Sequence, residues 1–523
     1  MARSRWMARA AVALLAAAPY VGSARFGFVF DDLHLIVRNV FLRGPWSPLT
    51  AFAHDFWHGT PFGAAYYRPL VTASLALNGR LLGWGPAGFH LVNVLLHAAN
   101  AVLLLALARR MGCPDRAALF AAALFAVHPV AAWPVASIVA RVDLLPVLFV
   151  LLAWCALCAP PGGRAGLRRA VWAGAFFLLA LLSKESAAAF LAVPVLALRR
   201  MKDPDGGVRV GWPVAFSVGA AALVYLAARR AIGLALLIPR VLIDPLTNPL
   251  VLLPRTARLL AALRLAGRYI LYLLAPVRFD DPWNYFDPAL PSPGMGPGVI
   301  LTLALLAVWS GAIVLLWLRR HRAALPLAFS LASFLPASNI LFPISSLYAQ
   351  NFLYMPLAGL CLAGAAVLGR AGRRARVDGD PKPRRVAMPR TLVAVTLVTV
   401  LALAAHQEAG IWRDELSLLS AWSERFPNYP PAQSALGVAL LDRRDPAAAI
   451  VPLRRALALT DRSVEAHYNL GVALLLLDRP AEAEQEARAA LRLAPGLAPA
   501  LEILDRARSR SEGPAPGAAR TPR

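Results

Sequence analysis

Apolar residues fill this chain in stretches long enough to cross a bilayer, separated by short basic loops. A straight transmembrane helix needs roughly 20 apolar residues. Hydrophobic length and loop charge together predict about eleven spans. They cover 7–22, 89–107, 117–133, 143–159, 170–182, 187–198, 211–228, 299–318, 323–342, 352–368 and 389–405. The stretches 170–182 and 187–198 are short, which fits re-entrant elements or local thinning of the membrane. The stretch 255–277 is apolar but carries Arg255, Arg258, Arg264 and Arg268, as expected of an amphipathic helix lying at the interface. Arg3, Arg5 and Arg9 flank the first span and keep the N-terminus cytoplasmic by the positive-inside rule. The first segment reads as an uncleaved signal anchor. An odd span count then places the C-terminus outside.

Beyond position 405 the pattern changes to apolar and charged residues alternating at helical period. Ala435-Leu436-Gly437-Val438-Ala439-Leu440-Leu441 recurs 34 residues later as Asn469-Leu470-Gly471-Val472-Ala473-Leu474-Leu475. That is the tetratricopeptide period. The expected domains are a membrane region over 1–406, with a first external loop over 25–88, and a repeat region over 407–510. A helix over 412–426 caps the repeats, and the Gly/Pro/Ala/Arg-rich tail over 511–523 reads as disordered.

Composition agrees with a polytopic all-α membrane protein: 59% of the 523 residues are hydrophobic. The net charge of +25 would suit nucleic acid, but the arginines sit in short loops such as Arg109-Arg110, Arg168-Arg169, Arg199-Arg200 and Arg319-Arg320. They lack interleaved aromatics and a recognisable module, so they read as topology signals. Arg in preference to Lys, with abundant Ala, Gly and Pro, points to a GC-rich bacterial coding sequence and an inner-membrane location. The four cysteines form no disulfide framework, and Cys155-x-x-Cys158 lies in an apolar span as core packing.

Polar residues collect at the external ends of the spans. Asp31-Asp32 follows the first span directly, and two adjacent carboxylates at a membrane boundary are costly to desolvate. The same loop carries His34, His54, Asp55, His58, Tyr66, Tyr67 and Arg68. His90, Asn93 and His97 share one helical stripe. His128, Arg141, Asp143 and Ser183-Lys184-Glu185 follow. Plain structural roles stay open for each group. An Asp of the pair fits a helix cap, the His/Asn stripe fits interhelical hydrogen bonds, and Lys184-Glu185 fits an interfacial turn. The histidine spacing is no metal signature, and no metal site is expected.

Taken in order, several strings resemble the transmembrane and tetratricopeptide-repeat-containing family. They are Phe28-Val29-Phe30-Asp31-Asp32, Tyr67-Arg68-Pro69-Leu70, Phe89-His90-Leu91-Val92-Asn93 with His97, and His128-Pro129-Val130. Arg141-Val142-Asp143, Leu182-Ser183-Lys184-Glu185-Ser186, Phe352-Leu353-Tyr354-Met355-Pro356 and Trp412-Arg413-Asp414-Glu415 continue the match. The resemblance covers nearly the whole chain. It implies a GT-C glycosyltransferase bundle related to protein O-mannosyltransferases, with no bound cofactor. The implied donor is a polyprenyl-phosphate sugar, probed first as a hexose such as mannose, and the implied acceptors are Ser/Thr hydroxyls of proteins.

On that resemblance Asp31 is the general base and Asp32 its supporting partner. Arg68 and Lys184 would hold the donor phosphate, because guanidinium and ammonium groups match phosphate oxygens. Tyr67, His90, Asn93, His97, His128, Arg141, Asp143 and Glu185 would line the substrate site. The repeats would take the extended protein acceptor. The chain departs from the family at Ala131-Ala132-Trp133, where relatives carry His-Thr-Glu, and at Gln350-Asn351, where they carry Glu-Arg. Retention of Asp31, Asp32 and Arg68 favours a modified enzyme. The rival is an inactive, membrane-anchored tetratricopeptide scaffold.

Overall fold

A computed structural model describes residues 2–45, 47–61, 66–158, 163–198, 211–235, 243, 248–276, 295–377 and 387–511. Among these the chain is helical, with no strand. It divides into two compact units at Arg413/Asp414. The basic cluster at 199–202 and the tail over 512–523 lie outside the described residues.

Among the described residues of the first unit, seven helices are long and apolar enough to cross a membrane: Arg3–Arg25, Pro86–Arg110, Gly166–Ser183, Trp212–Ala231, Pro297–Leu318, Gln350–Gly369 and Thr391–Gly410. A bent pair, Asp115–Val127 with Pro129–Ala136, turns by 48° and is either a broken span or a re-entrant loop. The bend has a local cause. Proline cannot donate to the preceding turn and pushes its predecessor out of the helical region. His128 accordingly sits at φ −67°, ψ 131°.

The other three expected spans fall short of the length of those seven helices. Residues 143–157 belong to the 17-residue helix Arg141–Leu157, and residue 159 lies outside the described residues. Residues 187–198 fall into a 3-10 turn, Glu185–Leu191, and a short helix, Ala192–Leu198. Residues 323–342 give Ala324–Phe334, 11 residues long. Hydropathy registers apolar content and misses such breaks: Ala324–Phe334 passes into a 3-10 turn, Leu335–Ala337, with Pro336 near its start. The arginine-bearing stretch forms the helix Arg255–Leu274, which packs on Pro297–Leu318. Gly267 permits their close approach, since a Cβ there would collide with Thr302.

Arg141, at the start of its helix, is fully buried. Its Nε donates to Asn93 Oδ1 at 2.9 Å, and Nη2 donates to Asn78 Oδ1 at 2.7 Å and to the Phe89 carbonyl at 3.2 Å. Nη1 donates to the Ser74 carbonyl at 3.2 Å. One guanidinium thus fastens Pro69–Leu82, Pro86–Arg110 and Arg141–Leu157 together. Around it lies an apolar cluster that includes Leu35, Ile36, Phe56, Val71, Phe89, Ile138 and Val142. Loop residues and helices therefore share one core.

The second unit holds the helices Glu415–Arg425, Pro430–Asp442, Pro446–Leu459, Val464–Leu476, Pro480–Leu493 and Ala498–Ser511. Asp414, Asp445 and Ser463 cap three of them by accepting the amides of Ser417, Ala448 and Ala466. Ala449, Leu453, Leu470, Ala473, Ala483 and Ala487 form its core. Gly437, from the repeated string, admits Leu453 where a Cβ would clash.

Removing the Arg141 side chain strands several buried acceptors. Arg141→Ala is expected to cost about 3–5 kcal/mol, the range for breaking a buried charged network. Arg141→Lys should recover only part, lacking the planar fork. Melting of the detergent-purified variants measures this; an Arg141→Ala protein as stable as wild type would remove the fastening role.

Candidate active site

The acidic pair stands on a constrained backbone. Phe30 has φ +52°, the left-handed region that a bulky side chain avoids. After it the chain turns into a π-helical segment, Leu33–Val37. Single π turns recur at functional sites.

The two carboxylates have different surroundings. Asp32 is fully buried; its Oδ2 accepts the Val29 amide at 3.2 Å and its Oδ1 the Val139 amide at 2.9 Å. Burial pushes its pKa up to about 7, against the lowering effect of the Val139, Val29 and Ile138 amides and with a further push from Asp31. Asp31 is only partly buried and carries no hydrogen bond to any described residue. Burial alone raises its pKa to about 6. One carboxylate is therefore an anchor, and its neighbour is left open to react.

The turn that Asp32 grips is held from below. Asn93 Nδ2 donates to the carbonyls of Ser137 and Ile138 at 2.9 and 3.1 Å, while its Oδ1 accepts from Arg141. Asp143 lies one helical turn past Val139 and belongs to a second cluster. Lys184 Nζ meets Asp143 Oδ1 at 2.5 Å, and Asn351 Nδ2 donates to Asp143 Oδ2 at 2.7 Å. Beside Lys184, Glu185 takes Arg68 in a two-pronged bond, Nη2 to Oε1 at 2.7 Å and Nε to Oε2 at 3.2 Å. Arg68 also stacks over the Tyr66 ring at 4.3 Å. Burial works to raise the Glu185 pKa, but the charge and hydrogen bonds of Arg68 hold it down at about 2. Burial works against the Arg68 charge, and Glu185 more than offsets it, raising Arg68 above its ordinary range.

The residues expected in the site therefore separate by role. Asp31, Asp32, Asn93, Arg141 and Asp143 are linked through the 137–143 segment, and Arg68, Lys184 and Glu185 join them through Asp143 and its neighbour. Arg68 and Lys184, expected to face a donor phosphate, each already hold a carboxylate. No contact among the described residues joins Arg68 to Asp31. His97 bridges helices: Nε2 donates to the Ala126 carbonyl at 3.0 Å, which leaves Nδ1 to accept from Tyr354 Oη at 2.8 Å. Tyr67 is buried, its hydroxyl donating to the Phe52 carbonyl at 2.9 Å. His128 is buried in the bend and accepts the Val130 amide at 3.2 Å. His90 is buried edge-on against Phe26, with the Gly27 backbone beside it. His54 and His58 stack on each other at 3.7 Å, flanked by Phe41.

Asn78, which accepts from Arg141, carries no sequence motif of its own, and Asn351, noted in the sequence only as a departure, donates to Asp143. A buried asparagine on an apolar helix is the one signal that would have marked Asn78. Ala131 and Ala132 are buried, Trp133 lies against Trp412, and Gln350 and Asn351 are half-buried.

The environments of the pair set a sign test. Asp31 has a folded pKa near 6, above its ordinary 3.8. Its folded state is thus favoured at low pH, and that contribution is lost as pH rises through about 6. Asp31→Asn should melt higher than wild type at pH 7.5, and the difference should vanish near pH 4. Asp32→Asn should melt lower near pH 4, where both side chains are neutral and the amide cannot accept two backbone N–H groups through both arms, and the deficit should shrink by pH 7.5 as buried Asp32 ionises through about 7. Equal behaviour of the two variants would refute the division of roles.

The family model for the tetratricopeptide repeat matches residues 464–497. Over 89% of its length the chain is 27% identical to "Protein O-mannosyl-transferase Tmtc3" of Drosophila melanogaster, spanning 56% of that protein. Over 81% it is 27% identical to "Protein O-mannosyl-transferase TMTC4" of Mus musculus, spanning 62% of it. A 153-residue stretch, 28% of the chain, is 42% identical to "Protein O-mannosyl-transferase TMTC1" of the mouse over 16% of that protein. The chain spans a little more than half the length of the first two of these relatives. It is a homologue, with a tetratricopeptide repeat, of proteins named protein O-mannosyl-transferases.

Proposed function

We propose that this protein is an integral-membrane glycosyltransferase. It moves a sugar from a polyprenyl-phosphate donor to a hydroxyl, that of Ser or Thr in a protein, on the external face of the membrane. The observation that carries this is Asp31: a partly exposed carboxylate with no hydrogen bond, fixed by a buried neighbour whose oxygens are both engaged. The homologues' names supply the sugar class, with mannose as the first candidate. A lipid-phosphate donor suits an external site, because nucleotide sugars are cytoplasmic.

In the proposed step Asp31 accepts the acceptor hydroxyl's proton as its oxygen attacks the anomeric carbon. The new C–O bond forms while the bond from that carbon to the phosphate oxygen breaks, with inversion. Polyprenyl phosphate leaves with the bonding electron pair. Arg68 uses two N–H groups on Glu185, and its remaining donors are the ones for the leaving phosphate. Lys184 adds positive charge from beside the same cluster. The charges of Arg68 and Lys184 are balanced by Glu185 and Asp143, so donor affinity rests on directed hydrogen bonds more than on net charge. The repeats, whose stacked helices suit extended peptides, recognise the protein acceptor. The N-terminus is cytoplasmic in this scheme, and Asp31 and the repeats are external.

The test is transfer by the full chain in nanodiscs, with a panel of polyprenyl-phosphate hexoses and a Ser/Thr peptide. Wild type should transfer one of them. Its rate should climb with pH through about 6 as Asp31 ionises, then level off. Asp31→Asn, folded and near-isosteric, should lose at least about 100-fold, the scale of general-base catalysis. A folded wild type inert toward every donor would favour the scaffold, for which paired Arg68 and Lys184 are purely structural. Reporter fusions after Arg25 and after Arg413 should both register external; a cytoplasmic signal from either breaks the topology.

A further inference from the structure

The helix Trp212–Ala231 turns one side toward the rest of the first unit. Val214, Val218, Ala221, Tyr225 and Arg229 are buried at spacings of three and four, while Trp212, Phe216, Leu223 and Val224 are exposed. The buried stripe starts apolar and ends in a phenol and a guanidinium. It packs on Gly166–Ser183, where Gly174 permits the approach, since a Cβ there would collide with Ser217. Gly166–Ser183 runs directly into Lys184 and Glu185. Tyr225 stands about two turns past Ser217, and its ring meets that of Tyr67 with centroids 6.0 Å apart and planes inclined at 38°. Tyr67 directly precedes Arg68, and its own hydroxyl is committed to the Phe52 carbonyl.

The Tyr225 hydroxyl is the unusual part of this stripe. Tyr225 is 4% exposed. Arg68 and Glu185 both act electrostatically on the hydroxyl, which sets it beside their ion pair. The Arg229 guanidinium, one turn on, lies beside its oxygen as a donor, but no described residue accepts the phenolic proton. A hydroxyl taken out of water without an acceptor is costly, and native structures seldom bear that cost without a reason. Arg68 shows the same shortage. Two of its five N–H groups serve Glu185, and the others bond to no described residue. Donors without acceptors therefore gather at this ion pair. An anion with several acceptor oxygens, such as a phosphate, is the chemistry that satisfies them together.

We infer that Tyr225 is a further substrate-binding residue, whose hydroxyl donates to the phosphate of the lipid donor beside Arg68. The inference rests on the proposal that the donor is a polyprenyl-phosphate sugar held by Arg68. A neutral donor suits the place. Glu185 already balances Arg68, so added affinity comes from an aimed hydrogen bond and not from further charge. As the sugar departs, the bonding electron pair passes to the phosphate, and a bond donated to that group strengthens. No motif marks Tyr225 in the chain. Its place at the end of a buried stripe, beside an ion pair built from residues far away in sequence, is visible only in the fold.

The experiment measures equilibrium binding to the full chain in phosphatidylcholine nanodiscs. The probes are a short-chain polyprenyl phosphate, the matching polyprenol without phosphate, and inorganic phosphate as a competitor. Wild type is compared with Tyr225→Phe, which removes the hydroxyl and keeps the ring against Tyr67; melting confirms that the variant is folded. Wild type should hold polyprenyl phosphate more tightly than polyprenol. Tyr225→Phe should weaken polyprenyl phosphate about 10-fold, the scale of a hydrogen bond to a charged group, and leave polyprenol binding unchanged. Inorganic phosphate should compete poorly. Tyr225→Phe binding polyprenyl phosphate as tightly as wild type overturns the inference and leaves the transfer proposal intact. Equal losses for both lipids overturn it too, because they mark a packing role. Inorganic phosphate competing as well as the lipid assigns the hydroxyl to a soluble anion, against the inference. If wild type does not distinguish polyprenyl phosphate from polyprenol, the donor proposal itself falls and takes the inference with it.

Discussion

The site depends on one buried carboxylate. Asp32 joins the amides of Val29, three residues before it in the first loop, and of Val139, 107 positions after it. A charge so buried is costly, and the amides it accepts only partly offset that cost. The return is geometric. The peptide on which Asp31 sits is tied to the 137–139 turn, that turn to Asn93, and Asn93 to Arg141. Arg141 in turn closes on one further helix, Pro69–Leu82, through Ser74 and Asn78. Loss of any link would leave a buried polar group alone, so the network holds together or fails together.

This arrangement gives two adjacent aspartates opposite duties. The resemblance alone assigns the two duties in the sequence; their physical cause lies in the Val29 and Val139 amides that folding brings to Asp32. The same holds for the basic residues. Arg68 and Glu185 are separated by 117 positions, and Lys184 and Asp143 by 41. Their charges invite a phosphate in the linear chain, and only folding shows them committed to each other. The place of Asn351 is set by the same pairing. Asp143 already has one cation, and Asn351 completes its second oxygen as a neutral donor.

Other features were legible in the chain because their causes are local. The 34-residue recurrence gives the repeat helices, since each repeat folds on nearest-neighbour contacts. Seven apolar helices follow from hydrophobic length. His128-Pro129 marks a bend for a reason contained in two residues. The shorter helices at 185–198 and 324–334 were overdrawn as spans, since breaks depend on single peptide conformations that averaged hydropathy smooths away. The stripe of His90, Asn93 and His97 was correctly placed on one helix face. The duties of Asn93 and His97 are interhelical, and their partners at Ser137, Ala126 and Tyr354 lie on other elements.

Phe30 has a consequence for anyone seeking a sturdier protein. Its ring is 40% exposed, so burial does little to offset its left-handed backbone. Glycine adopts that conformation freely, and stability-guided design would choose it there. The same change would slacken the hinge on which the acidic pair turns. At this position a gain in robustness and a loss of aim are one substitution, so a screen that ranks variants by melting temperature alone would select for a protein that is better folded and worse directed.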